Sequence, residues 1–309
     1  MRLYRYRCYH HRLRCSARRD KIFIVSGNHR TWPGRSRIVT STEDSDIPSA
    51  TRNTWILIII GIVAFIGLLQ IPPIPQDPAF HLFADIRTCL GILNFGNTVS
   101  NAAFALVGAW GLWTVLGPTG QKIFQTKKES WPYIIFFIGV ALVSIGSAYY
   151  HWAPNNERLF WDRLPMTVAF MGFFTAFITD RLNRPSAISW MLPTLVVLGA
   201  ASLIYWSITE ADGHGDLRFY GFVQFFPIIL LPIVLILFPK GHYTSGLYLL
   251  WVILWYGSAM GLEQLDHWIY DLSRGAISGH TIKHLLAAVA AFVVIRMLQN
   301  VARRTADIP

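Results

Sequence analysis

The stretch GHTIKHLLAAVAAFVVIRML, residues 279–298, decides the fold. From Leu285 to Ile295 it is apolar without a break, and Arg296 closes the run. A bilayer core about 30 Å thick is crossed by about 20 apolar residues in a helix. The stretch has that length, yet it opens with His280, Lys283 and His284. Ionisable side chains at the mouth of a span are costly enough to call for a function. Working outward, seven further apolar runs precede it, at roughly 54–71, 94–116, 131–151, 163–180, 188–208, 220–238 and 246–263. Pro and Gly interrupt several, which membrane helices tolerate. Hydrophobic residues make up 53% of the 309 and charged residues 14%, against about 25% charged in ordinary soluble domains. Mean hydropathy is +0.39. A disordered chain, a small disulfide scaffold and a soluble globule are excluded. The prediction is an all-α fold, a polytopic transmembrane helical bundle.

The ends and the charge set the orientation. Residues 1–53 are basic and lack a lasting apolar period, which predicts a disordered cytoplasmic tail or an extension ahead of the true start. No A-x-A-like cleavage site follows 54–71, so that run reads as a retained helix and not as a signal peptide. Residues 300–309 form a short C-terminal tail. With the N-terminus in the cytoplasm and every run crossing once, 21 basic residues lie inside and 6 outside. The positive-inside rule is satisfied, and both termini are cytoplasmic. The net charge of +10 and pI of 9.7 then need no nucleic acid, because anionic lipids of the inner leaflet suffice as partners. Cys8, Cys15 and Cys89 form no CxxC, so neither a disulfide framework nor a thiolate metal site is implied.

In that topology, polar groups from distant segments meet at the outer end. His151 closes a helix running outward, Asp162 opens the next, and His280 and His284 open the last. The i, i+4 pair His280 and His284 stacks on one helix face, the spacing at which two imidazoles chelate one ion. Ser278 is placed to cap that helix. Ser147 lies one turn deeper than His151 on the same face. Three histidines with a fourth position open is an arrangement of catalytic zinc, which acidifies water and polarises a carbonyl. The last helix lacks the Glu of HExxH, so Asp162 is the candidate proton acceptor. Blander readings compete. His151 could be an interfacial histidine beside Tyr149, Tyr150 and Trp152, and Asp162 with Arg163 could be a surface ion pair. Glu263, Asp266 and His267 read as loop or supporting groups, His81 and His214 as solvated, and Asn97, Ser100 and Asn101 as interhelical ties.

Taken together, SAYYH at 147–151, the Asp eleven residues after that His, HxxxH on the last helix, NTVSN at 97–101 and LPM at 164–166 resemble the alkaline ceramidase family. The wider superfamily includes the progestin and adipoQ receptors and the GPI-remodelling lipid hydrolases. The resemblance covers about residues 94–299 and implies a seven-helix core, with 54–71 as one extra N-terminal transmembrane helix. It also implies zinc on His151, His280 and His284, with Ser147 and Asp162 assisting hydrolysis of a ceramide amide. The family's Ca²⁺ site uses acids ahead of the first core helix and an acid three residues before the Asn of NTVSN. Here Asn94 stands at that position, although Asp85 is nearby, so no calcium site is expected. Arg163 stands where the ceramidases usually carry an acid.

The resulting expectation is a zinc-dependent integral-membrane hydrolase that cleaves the amide of ceramide or a related lipid near the outer face, periplasmic or luminal. A lipid receptor with a structural zinc and a lipid ester hydrolase are the competing readings. Oligomeric state is not encoded in these motifs.

Overall fold

Hydrocarbon offers the backbone no hydrogen-bond partners, so an apolar run must satisfy its N–H and C=O groups within itself, as a helix. The computed structural model describes residues 46–306, and the expectation of a tail at 1–53 lies outside the described residues as far as residue 45. The helices are α1 (Asp46–Gln70), α2 (Phe95–Val99), α3 (Ala102–Leu116), α4 (Pro118–Ile123), α5 (Lys127–Trp152) and α6 (Asn156–Arg181). They continue with α7 (Ile188–Ala211), α8 (Arg218–Leu237), α9 (Gly246–Gln264), α10 (Asp266–Leu272) and α11 (Gly279–Ala306).

Among the described residues, six helical stretches are long and apolar enough to cross a membrane: Ala50–Gln70, Phe95–Leu116, Lys127–Trp152, Pro185–Ala211, Arg218–Leu237 and Gly279–Arg304. The two other expected spans, α6 and α9, fall outside that set. The charges at both ends of α6 (Glu157, Arg158, Asp162, Arg163, Asp180 and Arg181) explain its exclusion. Boundaries also move. The first helix starts at Asp46, so residues 46–53 of the expected tail are helical. The run at 94–116 divides into α2 and α3, because Asn101 Nδ2 donates to the carbonyls of Asn97 and Thr98 and Ser100 Oγ donates to that of Asn97. Such local side-chain bonds compete with the helix ladder. The last helix runs on to Ala306, so residues 300–306 are helical and not tail.

Small residues let the helices close up. A Cβ added to Gly139 of α5 would lie 2.6 Å from the Ala169 nitrogen of α6, and one on Gly108 of α3 would lie 2.6 Å from the Ala141 nitrogen of α5. Close approach of this kind replaces the hydrophobic drive that is absent in lipid. The central cluster joins Phe104, Val140, Ala169, Val294 and Leu298 across α3, α5, α6 and α11. A second joins Phe177, Leu230, Val234 and Leu249 with Leu57 of α1. The opposite face of α1 points outward, with Ile59, Ile62, Val63 and Ile66 exposed, as suits a helix with lipid for a neighbour.

The two ends of the bundle are tied differently. At one end Asp180 accepts the backbone N–H groups of His242, Tyr243 and Thr244, while buried Arg181 donates to the carbonyls of Phe238, Pro239 and Thr244. The Tyr243 hydroxyl there is pushed up to about 12, chiefly by burial. At the other end the segment 71–94 lies across the helix termini. Gln76 N donates to Glu210, Leu217 N donates to the Ile74 carbonyl, and Ala84 N donates to Asp266. Asp85 is buried, which pushes its carboxyl up. Its bonds with Arg87 at 2.8 Å and with the Gly96 N–H outweigh that and hold it below the usual carboxylate range.

Candidate metal centre

His151 occupies the last turn of α5, and His280 and His284 occupy the first turns of α11. Two side chains start α11 at the right place. Ser278 Oγ accepts the Thr281 N–H at 3.1 Å, as a cap should. Asp266 Oδ1 accepts the His280 N–H at 2.8 Å, and its other oxygen accepts Ala84 N at 2.9 Å. Gly279 fits because a Cβ there would lie 2.3 Å from the Leu262 carbonyl oxygen.

The three imidazoles converge. Ring centroids are 4.7 Å apart for His151–His280 and His280–His284, and 4.9 Å for His151–His284. One ligand nitrogen from each lies within 4.8 Å of the others, all three residues are buried, and the group could hold a metal ion. The Nε2 atoms of His151 and His280 face each other at 3.1 Å. Two nitrogen lone pairs in that position need a shared proton or cation between them. A set of three imidazoles, with no thiolate, suits zinc. The residues therefore fit the group that the sequence motifs imply.

Around the trio, each ring is held differently. His284 Nδ1 meets Ser100 Oγ at 2.8 Å, and His280 Nδ1 lies 3.5 Å from Glu263 Oε1. Among the described residues, His151 Nδ1 has no hydrogen-bond partner. Its backbone carbonyl accepts Asn94 Nδ2 at 2.7 Å. The Phe83 ring covers the site, with centroids 4.7 Å from His151 and 4.5 Å from His280.

Ser147 lies one helical turn before His151 on α5, and Asp162 stands near the start of α6. Both line a cavity, with Lys283 and His284, that continues past Tyr256 and Phe170 to Phe136, Phe177, Leu231 and Val294. The cavity holds about 1230 Å³ of space not filled by atoms, counting its open mouth. Polar groups thus stand at one end of an otherwise apolar chamber.

Several expectations need correction. Arg163 does not pair with Asp162 at the surface. It is buried, and its guanidinium lies 4.8 to 5.2 Å from the ring centroids of Tyr220, Trp206 and Phe80, a cation–π arrangement. His81 is not solvated, because Nδ1 meets the Tyr150 hydroxyl at 2.9 Å and Nε2 meets Asn156 Oδ1 at 2.8 Å. His214 is exposed, as expected. Asn97 does tie helices, accepting from Ser278 Oγ and Thr281 Oγ1. Asn101 bonds only to its own turn, and Ser100 reaches the His284 ring. Asp266, read as a loop or supporting group, does support His280, whereas the contacts of Ser100 and Phe83 with the histidines were not legible in the sequence, since no fixed spacing links those residues to them.

No curated protein and no solved structure matches the chain. A family model described as Ceramidase matches residues 89–307, well over half of the chain and the whole of the histidine-bearing bundle. On that match, with three buried imidazoles of which one lines an apolar chamber within a helical membrane fold, the chain belongs to the ceramidase family.

Proposed function

We propose that the protein is a zinc-dependent amidohydrolase of the membrane that cleaves ceramide or a related N-acylated lipid to a fatty acid and a free amine. The observation that carries this reading is a buried histidine trio whose His284 lines the same cavity as Ser147 and Asp162. Family membership supports a membrane ceramide-hydrolase kind of activity.

Zinc held by His151, His280 and His284 would supply Lewis acidity, polarising the amide carbonyl and acidifying water. The Asp162 carboxylate takes the proton from the attacking water and returns it to the leaving nitrogen, so that a C–O bond forms as the C–N bond breaks. Ser147 turns its hydroxyl to the carbonyl oxygen and donates a hydrogen bond as negative charge develops there. The apolar walls, from Val143 and Met166 to Phe177 and Val294, take up the lipid tails and exclude water. Lipid enters sideways between helices. The charge distribution of the loops supports cytoplasmic termini and a site on the outer face.

The test is incubation of the purified chain with a panel of ceramides, acyl esters and other acylated lipids, with released fatty acid read by mass spectrometry. Release from ceramides is expected. Release from esters alone points to an ester hydrolase, and saturable lipid binding without any release points to a receptor.

A further inference from the structure

Glu263 closes α9, seventeen residues before His280, and its carboxylate is largely buried, with 12% of the side chain exposed. Its Oε1 lies 3.5 Å from His280 Nδ1, and the same oxygen accepts a bond from Lys283 Nζ. Among the described residues, this is the one carboxylate in ion-pair range of a ring of the trio. Lys283 stands three residues after His280 on α11 and lines the cavity beside Asp162 and Ser147. The pair therefore bridges α9 and α11 at the level of the rings.

The chemistry of imidazole gives the bridge a purpose. A neutral ring carries one proton, and a partner that accepts the N–H at Nδ1 leaves the Nε2 lone pair free. His280 presents that Nε2 to the common centre, 3.1 Å from His151 Nε2. A carboxylate behind a ligand histidine fixes its tautomer and orientation and raises its basicity. The carboxylate itself would be costly to bury without a counter-charge, and Lys283 supplies one. Among the described residues, the other rings have no carboxylate behind them: His284 Nδ1 meets the Ser100 hydroxyl, and His151 Nδ1 has no hydrogen-bond partner.

We propose that Glu263 is a positioning residue of the metal centre, holding His280 with Nε2 turned to the ion, and that Lys283 holds Glu263 in register. The proposal rests on the zinc reading above. It is tested by the zinc affinity of the full chain in detergent, measured by competition with a chelator. The variants are Glu263→Leu, Glu263→Gln and Lys283→Met, with the exposed Glu157→Gln as control. Glu263→Leu should weaken zinc about 10- to 100-fold. Glu263→Gln should weaken it less, because the amide oxygen still accepts the Nδ1–H but carries no charge. Lys283→Met should shift affinity in the same direction, and Glu157→Gln should leave it unchanged. The melting temperature of each metal-free variant is read alongside. Weaker zinc with the metal-free melting temperature kept supports the proposal. Wild-type affinity in Glu263→Leu overturns it, and so does an affinity loss matched by a lower metal-free melting temperature in both Glu263 variants. A wild-type chain that binds no zinc overturns the zinc reading itself, and this proposal with it.

Discussion

At the residue scale, Asp162 and Ser147 have separable tasks from the histidines. Neither is part of the convergent nitrogen set, yet both line the cavity at its polar end. Asp162→Asn keeps the shape and removes the proton acceptor, so it should lower turnover about 10²- to 10⁴-fold while zinc content stays at the wild-type level. Metal analysis beside a steady-state ceramide assay checks this, and loss of zinc in Asp162→Asn would count against the assigned role. The histidines were legible in the sequence because each sits in a local pattern, SAYYH or HxxxH, whose geometry follows from helical periodicity. The sequence marks Glu263 only as a loop or supporting group with no ring assigned to it, and does not mark Phe83 as a contact at all. They reach the trio from segments whose path depends on tertiary packing. Arg163 misled because its sequence neighbour is Asp162, whereas its helix face points to Phe80, Trp206 and Tyr220.

At the scale of elements, the apolar runs read directly as helices, and the errors fell where polar side chains intervene. The break between α2 and α3 comes from Ser100 and Asn101 bonding back to their own turn. It also brings Ser100 to His284, so the irregularity serves the site. The start of α8 carries a second ion pair that fixes an element. Asp216 is buried and accepts Arg218 Nε at 2.8 Å and Nη2 at 2.7 Å, with the Tyr205 hydroxyl at 3.1 Å. Arg218 in turn donates to the Ile71 carbonyl, joining α8 to the end of α1. The bonds from Arg218 outweigh burial and hold the Asp216 carboxyl below its ordinary value. A depressed folded-state pKa adds stability that is fully present above the unfolded value, about 3.9. It is lost as pH falls through the folded value. Thermal unfolding in detergent should therefore show a fall in melting temperature on acidification below about pH 4. Asp216→Asn should lower the melting temperature at neutral pH and flatten that acid limb. An unchanged acid limb in Asp216→Asn would assign it to other groups such as Asp85.

At the scale of the whole molecule, the bundle places a polar centre at one end and an apolar chamber beneath it. His284 and Val294 both line the chamber, and the ten-residue step from one to the other spans about 15 Å of helix at 1.5 Å per residue. On the proposed function, the far wall limits how long a tail can seat. Val294→Phe should shift preference toward shorter acyl chains without changing zinc content, as read by competing a mixture of ceramides in one assay. Preference unchanged across chain lengths would place the tail elsewhere. The sequence made the bundle and its membrane setting plain through composition and run length. The chamber was not legible, because its volume depends on how six helices pack around it.

The central claim is that the three imidazoles hold one catalytic zinc. Its most direct test measures zinc content and ceramide turnover together, in the purified wild-type chain and in His284→Ala. About one zinc per chain is expected in the wild type, and His284→Ala should lose the metal and the activity together. Full turnover by a metal-free His284→Ala protein would contradict the account.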